Sequence, residues 1–141
     1  MDKQGGKNMK MGWISLGCPK NQVDTDYMIG FMEQAGFTMT AQPEEADILV
    51  INTCSFIESA TQESIDTILE FAAFKKGRCR LLVVVGCLPQ RYGRKLEKAL
   101  PEVDLWLGTG EYGRLAELIQ AALTRKQGEK YFAAAPAGWL P

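Results

Sequence analysis

The sequence predicts an α/β protein, a three-layer doubly wound fold built on a five-stranded, mostly parallel sheet. Three observations carry this expectation. Short apolar runs bounded by turn residues alternate with longer segments of helical period, the pattern of a sheet covered on both faces. Two of those runs, Ile48 to Ile51 and Leu81 to Val85, are apolar at every position, as central parallel strands must be. The 141 residues are enough for one domain with a core of its own.

In chain order, the first strand reads Gly12 to Leu16 and turns at Gly17-Cys18-Pro19. A helix follows from about Asn21 to Ala35, with Val23, Tyr27, Met28, Phe31 and Met32 as its expected buried face, and it stops at Gly36. Phe37 to Met39 is a short second strand at an edge, and Gln42 to Ala46 a polar link. The third strand, Asp47 to Asn52, leads through Thr53-Cys54-Ser55 to a helix from about Ser59 to Phe74, with Ile65, Ile68, Leu69 and Ala72 as its stripe. The fourth strand, Arg80 to Val85, ends at Gly86-Cys87-Leu88-Pro89. A third helix from about Gln90 to Ala99, a fifth strand Val103 to Leu107 and a last helix Glu111 to Thr124 complete the domain. Right-handed crossovers favour the flavodoxin-like strand order 2-1-3-4-5. The domain is expected over 11–126, preceded by a flexible N-terminus at 1–10 and followed by a small-residue, proline-broken linker at 127–141.

Hydrophobic residues make up 46% of the chain and charged ones 23%, which suggests neither disorder nor a membrane span. The N-terminus lacks the apolar stretch of a secretory signal, so a cytoplasmic protein is expected. The net charge of −1 provides no global field for nucleic acid. Two basic clusters, Lys75, Lys76, Arg78 and Arg80, and then Arg91, Arg94, Lys95 and Lys98, read as solvated surface balanced by 17 acidic residues, with an RNA-facing patch as the alternative. The absence of histidine leaves cysteine as the only soft metal ligand of any number.

Three of the four cysteines share one position, directly after the carboxyl end of a predicted strand: Cys18, Cys54 and Cys87. In the order 2-1-3-4-5 those strands are neighbours, so their tips span about 10 Å, at the edge where open α/β sheets collect ligands. Cys79 precedes the fourth strand at the opposite edge, roughly 25 Å from Cys87, and reads as an incidental thiol. Any one cysteine alone would be a small buried hydrophobe. Structural zinc needs four protein ligands, and a cubane iron–sulfur cluster usually takes four thiolates. Held by three, a cluster keeps one iron open, which points to chemistry rather than to a purely structural metal.

The segments Ser15-Leu16-Gly17-Cys18-Pro19-Lys20-Asn21-Gln22-Val23-Asp24, Asn52-Thr53-Cys54-Ser55-Phe56-Ile57 and Val84-Val85-Gly86-Cys87-Leu88-Pro89-Gln90-Arg91-Tyr92 resemble the three signature segments of the methylthiotransferase N-terminal domain. The similarity runs from about Met11 to Thr124. Cys18-Pro19-Lys20-Asn21 is similar to the branch that modifies an aspartate of a small-subunit ribosomal protein, whereas the tRNA-modifying branch, the alternative, typically has Cys-Gln-Met-Asn. Glu63 to Glu70 and Leu107 to Gly110 also look like the ribosomal-protein branch. The resemblance implies that Cys18, Cys54 and Cys87 ligate an auxiliary [4Fe–4S] cluster whose open iron carries the sulfur or methylthio group to be inserted. It implies a radical SAM barrel, with its own cluster and S-adenosylmethionine, and a small C-terminal β-domain as partners in a longer chain, so the isolated domain is not expected to be active. Asn21 and Asn52 are candidates to donate hydrogen bonds to the cluster or its loops, or else are turn-forming asparagines. Lys20 is an electrostatically sensible neighbour of an anionic cluster.

Two rivals are weighed. Gly108-Thr109-Gly110-Glu111-Tyr112-Gly113 formally matches G-x-G-x-x-G, but a dinucleotide fingerprint needs a following strand with an acidic residue about 20 positions on, and the sequence there reads as linker. A metal-free flavodoxin-like binding module would share the fold but leaves the three strand-end cysteines unexplained.

Overall fold

In the computed structural model, residues 9–17, 19–54, 58–124 and 131–133 are described. Six strands form one all-parallel sheet: β1 (Lys10–Ser15), β2 (Thr38–Met39), β3 (Ile48–Thr53), β4 (Leu81–Gly86), β5 (Leu105–Leu107) and β6 (Tyr131–Ala133), in the order β2-β1-β3-β4-β5-β6. The five expected strands stand in the expected order. Helices α1 (Pro19–Gln34), α2 (Glu58–Ala72), α3 (Cys87–Tyr92), α4 (Lys95–Ala99) and α5 (Leu115–Thr124) cover both faces.

Side chains that alternate along each strand divide the core in two. Met11, Val50, Val83, Val85, Leu105 and Leu107 pack with Met28 and Met32 of α1 and with Leu115, Leu118 and Ile119 of α5. On the other face Leu49, Ile51, Leu82, Val84 and Trp106 pack with Ile68 and Ala72 of α2, Leu88 of α3 and Leu96 of α4. Every residue of β3 and β4 is buried, and each fully buried large aliphatic side chain there contributes about 2 kcal/mol. These are the strands whose ends carry Cys54 and Cys87.

Several expectations are corrected. On α1 only Met28 and Met32 of the predicted face are buried, while Val23, Tyr27 and Phe31 are exposed at 66%, 61% and 43%. The inward line instead runs Asn21, Thr25, Met28, Met32, so the Val23 line lies two residues, roughly 200°, around the helix. Tyr27 and Phe31 pair edge to face on that outer line, with ring centroids 4.9 Å apart. On α2 the buried line is Ser64, Ile68, Ala72, and Leu69 is exposed. The predicted third helix is two, α3 and α4, because Gly93 adopts φ +67° between them. The last helix begins as a 3-10 turn, Thr109–Arg114. Lys10, expected in the flexible N-terminus, opens β1, its amide donating to Asp47 Oδ2 at 2.9 Å.

β6 lies inside the stretch expected as linker. Tyr131-Phe132-Ala133 is too short to stand out from the small residues after it, yet its aromatics suit a strand and it pairs with Leu105–Leu107. It also supplies the following strand whose expected absence argued against a dinucleotide site. The acidic residue about 20 positions on, Glu129, precedes this strand in the sequence, and none stands at its carboxyl end, where Ala134, Ala135 and Pro136 come next. No described helix is long and apolar enough to cross a membrane.

Candidate functional site at the carboxyl edge

The parallel ladder sets the levels of the strand ends. Ser15 pairs with Asn52, Asn52 with Val85, and Thr53 with Gly86. One step further, Cys54 and Cys87 leave adjacent strands at the same level, and both are partly exposed. Cys18 lies outside the described residues. Its covalent neighbour Gly17 sits against Cys54: a Cβ on Gly17 would be 2.7 Å from Cys54 Cβ and 2.9 Å from its Sγ. Gly17 has φ +88°, which a side chain would oppose as well. Gly86, beside Cys87, has φ +106° with ψ −151°, a region almost restricted to glycine, and a Cβ there would be 2.6 Å from Asn52 Oδ1. Gly17 thus keeps side-chain bulk away from the Cys54 thiol, and Gly86 keeps it away from Asn52 and Thr53.

A neutral polar lattice ties these ends together. Asn21 Nδ2 donates to the carbonyls of Leu16, at 2.7 Å, and Thr53, at 2.9 Å, linking the ends of β1 and β3. Asn52 Nδ2 donates to the carbonyl of Asn21 and to Thr25 Oγ1, both at 3.0 Å. Because a carbonyl only accepts, this fixes the Asn52 amide, and its Oδ1 is buried beside Gly86 with no hydrogen-bond partner among the described residues. Thr25 Oγ1 donates to Ser15 Oγ at 3.1 Å. Thr53 Oγ1 donates to the Val85 carbonyl at 2.7 Å and accepts from Leu88 N–H at 3.2 Å. Ser64 Oγ accepts from Cys54 N–H at 3.0 Å and donates to Cys54 C=O at 2.7 Å.

Of the sequence-derived candidates, Asn21, Asn52, Cys54 and Cys87 meet at this edge. Lys20 opens α1 there, exposed and paired with Asp24 at 3.1 Å. Cys79 is buried before β4, its Sγ donating to the Leu81 carbonyl at 3.2 Å, and burial pushes its thiol pKa up. Among the described residues no three metal-ligating side chains converge, Cys18 being outside them. The donor chemistry nonetheless suits a soft metal group: two thiols at one level, glycines beside them, and no carboxylate in the buried lattice.

Sequence reasoning missed Thr53, Ser64 and Tyr112. Ser64 was detectable as the polar member of the line Ser64-Ile68-Ala72, but a search for apolar periodicity skips it. Tyr112, in the turn after β5, is raised well above the ordinary tyrosine pKa, first by burial and then by negative charge at Asp24 and Cys87. Its phenol stays protonated at neutral pH. The basic clusters are partly neutralised: Lys75 pairs with Asp104, Arg78 with Asp47 and Arg94 with Glu97. A shallow groove of about 640 Å³ along α2 is lined by Glu58, Gln62, Glu63, Asp66 and Glu70, with no thiol among the described residues of its wall.

The family described as "Uncharacterized protein family UPF0004" matches residues 10–108. The chain is 52% identical over 123 residues to "Ribosomal protein uS12 methylthiotransferase RimO" of Geobacter sulfurreducens, covering 86% of this chain and 28% of that protein. Proteins of the same name match at 56% over 111 residues in Citrifermentans bemidjiense, 78% of this chain and 25% of the relative, and at 47% over 122 residues in Clostridium tetani, 86% and 27%. The chain therefore spans about a quarter of the length of these relatives.

Proposed function

The chain belongs to the UPF0004 family, and from that premise we propose that it is the N-terminal, cluster-binding domain of a methylthiotransferase acting on an aspartate of ribosomal protein uS12. Cys18, Cys54 and Cys87 are the thiolate ligands of an auxiliary [4Fe–4S] cluster. The observation that carries this reading is the common level at which Cys54 and Cys87 leave β3 and β4, with Gly17 packed on Cys54. The substrate follows from the names of the relatives and from Cys18-Pro19-Lys20-Asn21.

When bound, such a cluster supplies an open iron that carries sulfur for the substrate, while SAM cleavage belongs to a radical SAM barrel outside residues 11–126. The chain's own residues bind and orient. Gly17 leaves room beside the Cys54 thiol, Gly86 leaves room for Asn52 and Thr53, and Asn21 joins the Leu16 and Thr53 carbonyls, which ties the loop after β1 to the end of β3. Asn52 holds the first turn of α1 against β3. Lys20 places positive charge at an edge that gathers thiolates. Residues 127–141, of which 131–133 form β6, are the sequence link between this domain and the barrel, and a cytoplasmic setting suits a ribosomal-protein substrate.

Anaerobic reconstitution with iron and sulfide tests the assignment. About four irons per chain are expected for the wild type and for Cys79→Ala, and loss of stable iron for Cys18→Ala, Cys54→Ala and Cys87→Ala. Full iron retention in Cys54→Ala or Cys87→Ala would overturn the ligand set.

A further inference from the structure

We infer that Ser64 and Thr53 are positioning residues for the cluster, each holding the backbone around one ligand through a single buried hydroxyl. The inference rests on the reading that Cys54 and Cys87 are ligands. The last ladder pair of β3 and β4 is Thr53 with Gly86, so Cys54 stands one residue beyond the point at which the sheet itself supplies partners. Ser64 takes over both of its main-chain groups, accepting from the N–H and donating to the C=O of the same residue. Thr53 does the equivalent for Cys87: it grips the carbonyl of Val85, two residues before, and the N–H of Leu88, one residue after.

Ser64 lies on the buried line of α2 with Ile68 and Ala72, where an alanine would pack without desolvating a hydroxyl. What the serine adds there is the pair of bonds to Cys54. Both hydroxyls are fully buried while the two thiols are partly exposed, so the clamps lie behind the ligands and leave the sulfur side open. Both are neutral, so they fix the loops without adding negative charge beside thiolates. A polyatomic cluster tolerates little change in the separation of its ligands, and groups that orient ligands contribute to metal retention almost as the ligands do. Ser64, on a rigid helix, and Thr53, on a central strand, set that separation from two directions.

The 141-residue chain, reconstituted anaerobically with ferrous iron and sulfide, is assayed for iron release to a chelator and for the electron paramagnetic resonance spectrum of the reduced cluster. Ser64→Ala and Thr53→Val are expected to take up the wild-type amount of iron, release it at least about tenfold faster, and shift the spectrum. Thr53→Ser, which keeps the hydroxyl, is expected to return both readouts to wild type. Variants that lose thermal stability but keep wild-type release and spectrum would show that the hydroxyls merely cap strands, and would overturn the inference while leaving the ligand assignment standing. A wild-type chain that takes up no iron would overturn the ligand assignment and this inference with it. Should Ser64→Ala not fold, judged by far-ultraviolet circular dichroism, Thr53→Val preserves side-chain shape and decides by the same two readouts.

Discussion

The two edges of the sheet are held by different chemistry. At the amino edge the buried polar groups are carboxylates. Asp47 accepts from the Lys10 amide at 2.9 Å and from Arg78 at 3.0 Å, and Asp104 accepts from the Leu82 amide at 2.8 Å and from Lys75. At the carboxyl edge they are amides and hydroxyls: Asn21, Thr25, Asn52, Thr53 and Ser64. Either set can satisfy strand-end backbone groups. A carboxylate beside Cys54 and Cys87, however, would repel the thiolate form, whereas a neutral donor or acceptor does not. The amino edge is thus tied by charge, and the carboxyl edge, which carries Cys54 and Cys87, is tied by neutral groups.

The largest break is expected at the carboxyl edge. Gly86→Ala forces a Cβ toward Asn52 Oδ1 and the Thr53 carbonyl, at 2.6 and 2.7 Å, in a backbone conformation that disfavours any side chain. A loss of about 4 kcal/mol in urea unfolding is expected from strain and overlap together. At the amino edge, Asp104→Ala leaves the Leu82 N–H without that acceptor and Lys75 without its carboxylate. A loss of about 3 kcal/mol is expected by the same measurement. If Asp104→Ala were neutral, the charged edge would be decoration and the contrast would fail.

How much of this was legible in the sequence follows from what each residue does. The strand order, the buried β3 and β4 and the strand-end placement of Cys54 and Cys87 were readable, because apolar runs and parallel topology determine them. Asn21 and Asn52 were readable as candidates because they flank the cysteines in the signature segments. The buried face of α1 was misread: Asn21 and Thr25 occupy its inward line, and their burial depends on partners in β3 and β1 that helical periodicity cannot reveal. Ser64 was hidden for the same reason, since its partner Cys54 belongs to another element. β6 escaped because three residues carry too little period to compete with the prolines and alanines that follow.

Smaller effects sharpen the contrast through salt. Thr53→Val removes uncharged hydrogen bonds, and a loss of about 1.5 kcal/mol is expected, the same in low and high salt. Arg78→Ala removes an ion pair whose guanidinium side chain is 56% exposed, so a loss of about 0.5 kcal/mol is expected at low ionic strength and almost none in 1 M salt. Salt-sensitive loss in Thr53→Val would contradict a carboxyl edge held by neutral groups.

The smallest effect concerns Cys79, the thiol on the charged side of the sheet. Burial raises its pKa above the unfolded value, with the neighbouring Leu81 carbonyl and Lys75 acting in the opposite sense. The folded state therefore favours the protonated thiol. That contribution is fully present below the unfolded pKa of about 8.5 and is lost as pH rises through the higher folded value. Urea unfolding of the metal-free chain at a series of pH values is expected to show wild-type stability falling more steeply above about pH 8.5 than that of Cys79→Ala, with parallel profiles below it. Parallel profiles throughout would mean that the thiol ionises within the fold as readily as in water, and that this edge is more open to solvent than the burial of Cys79 implies.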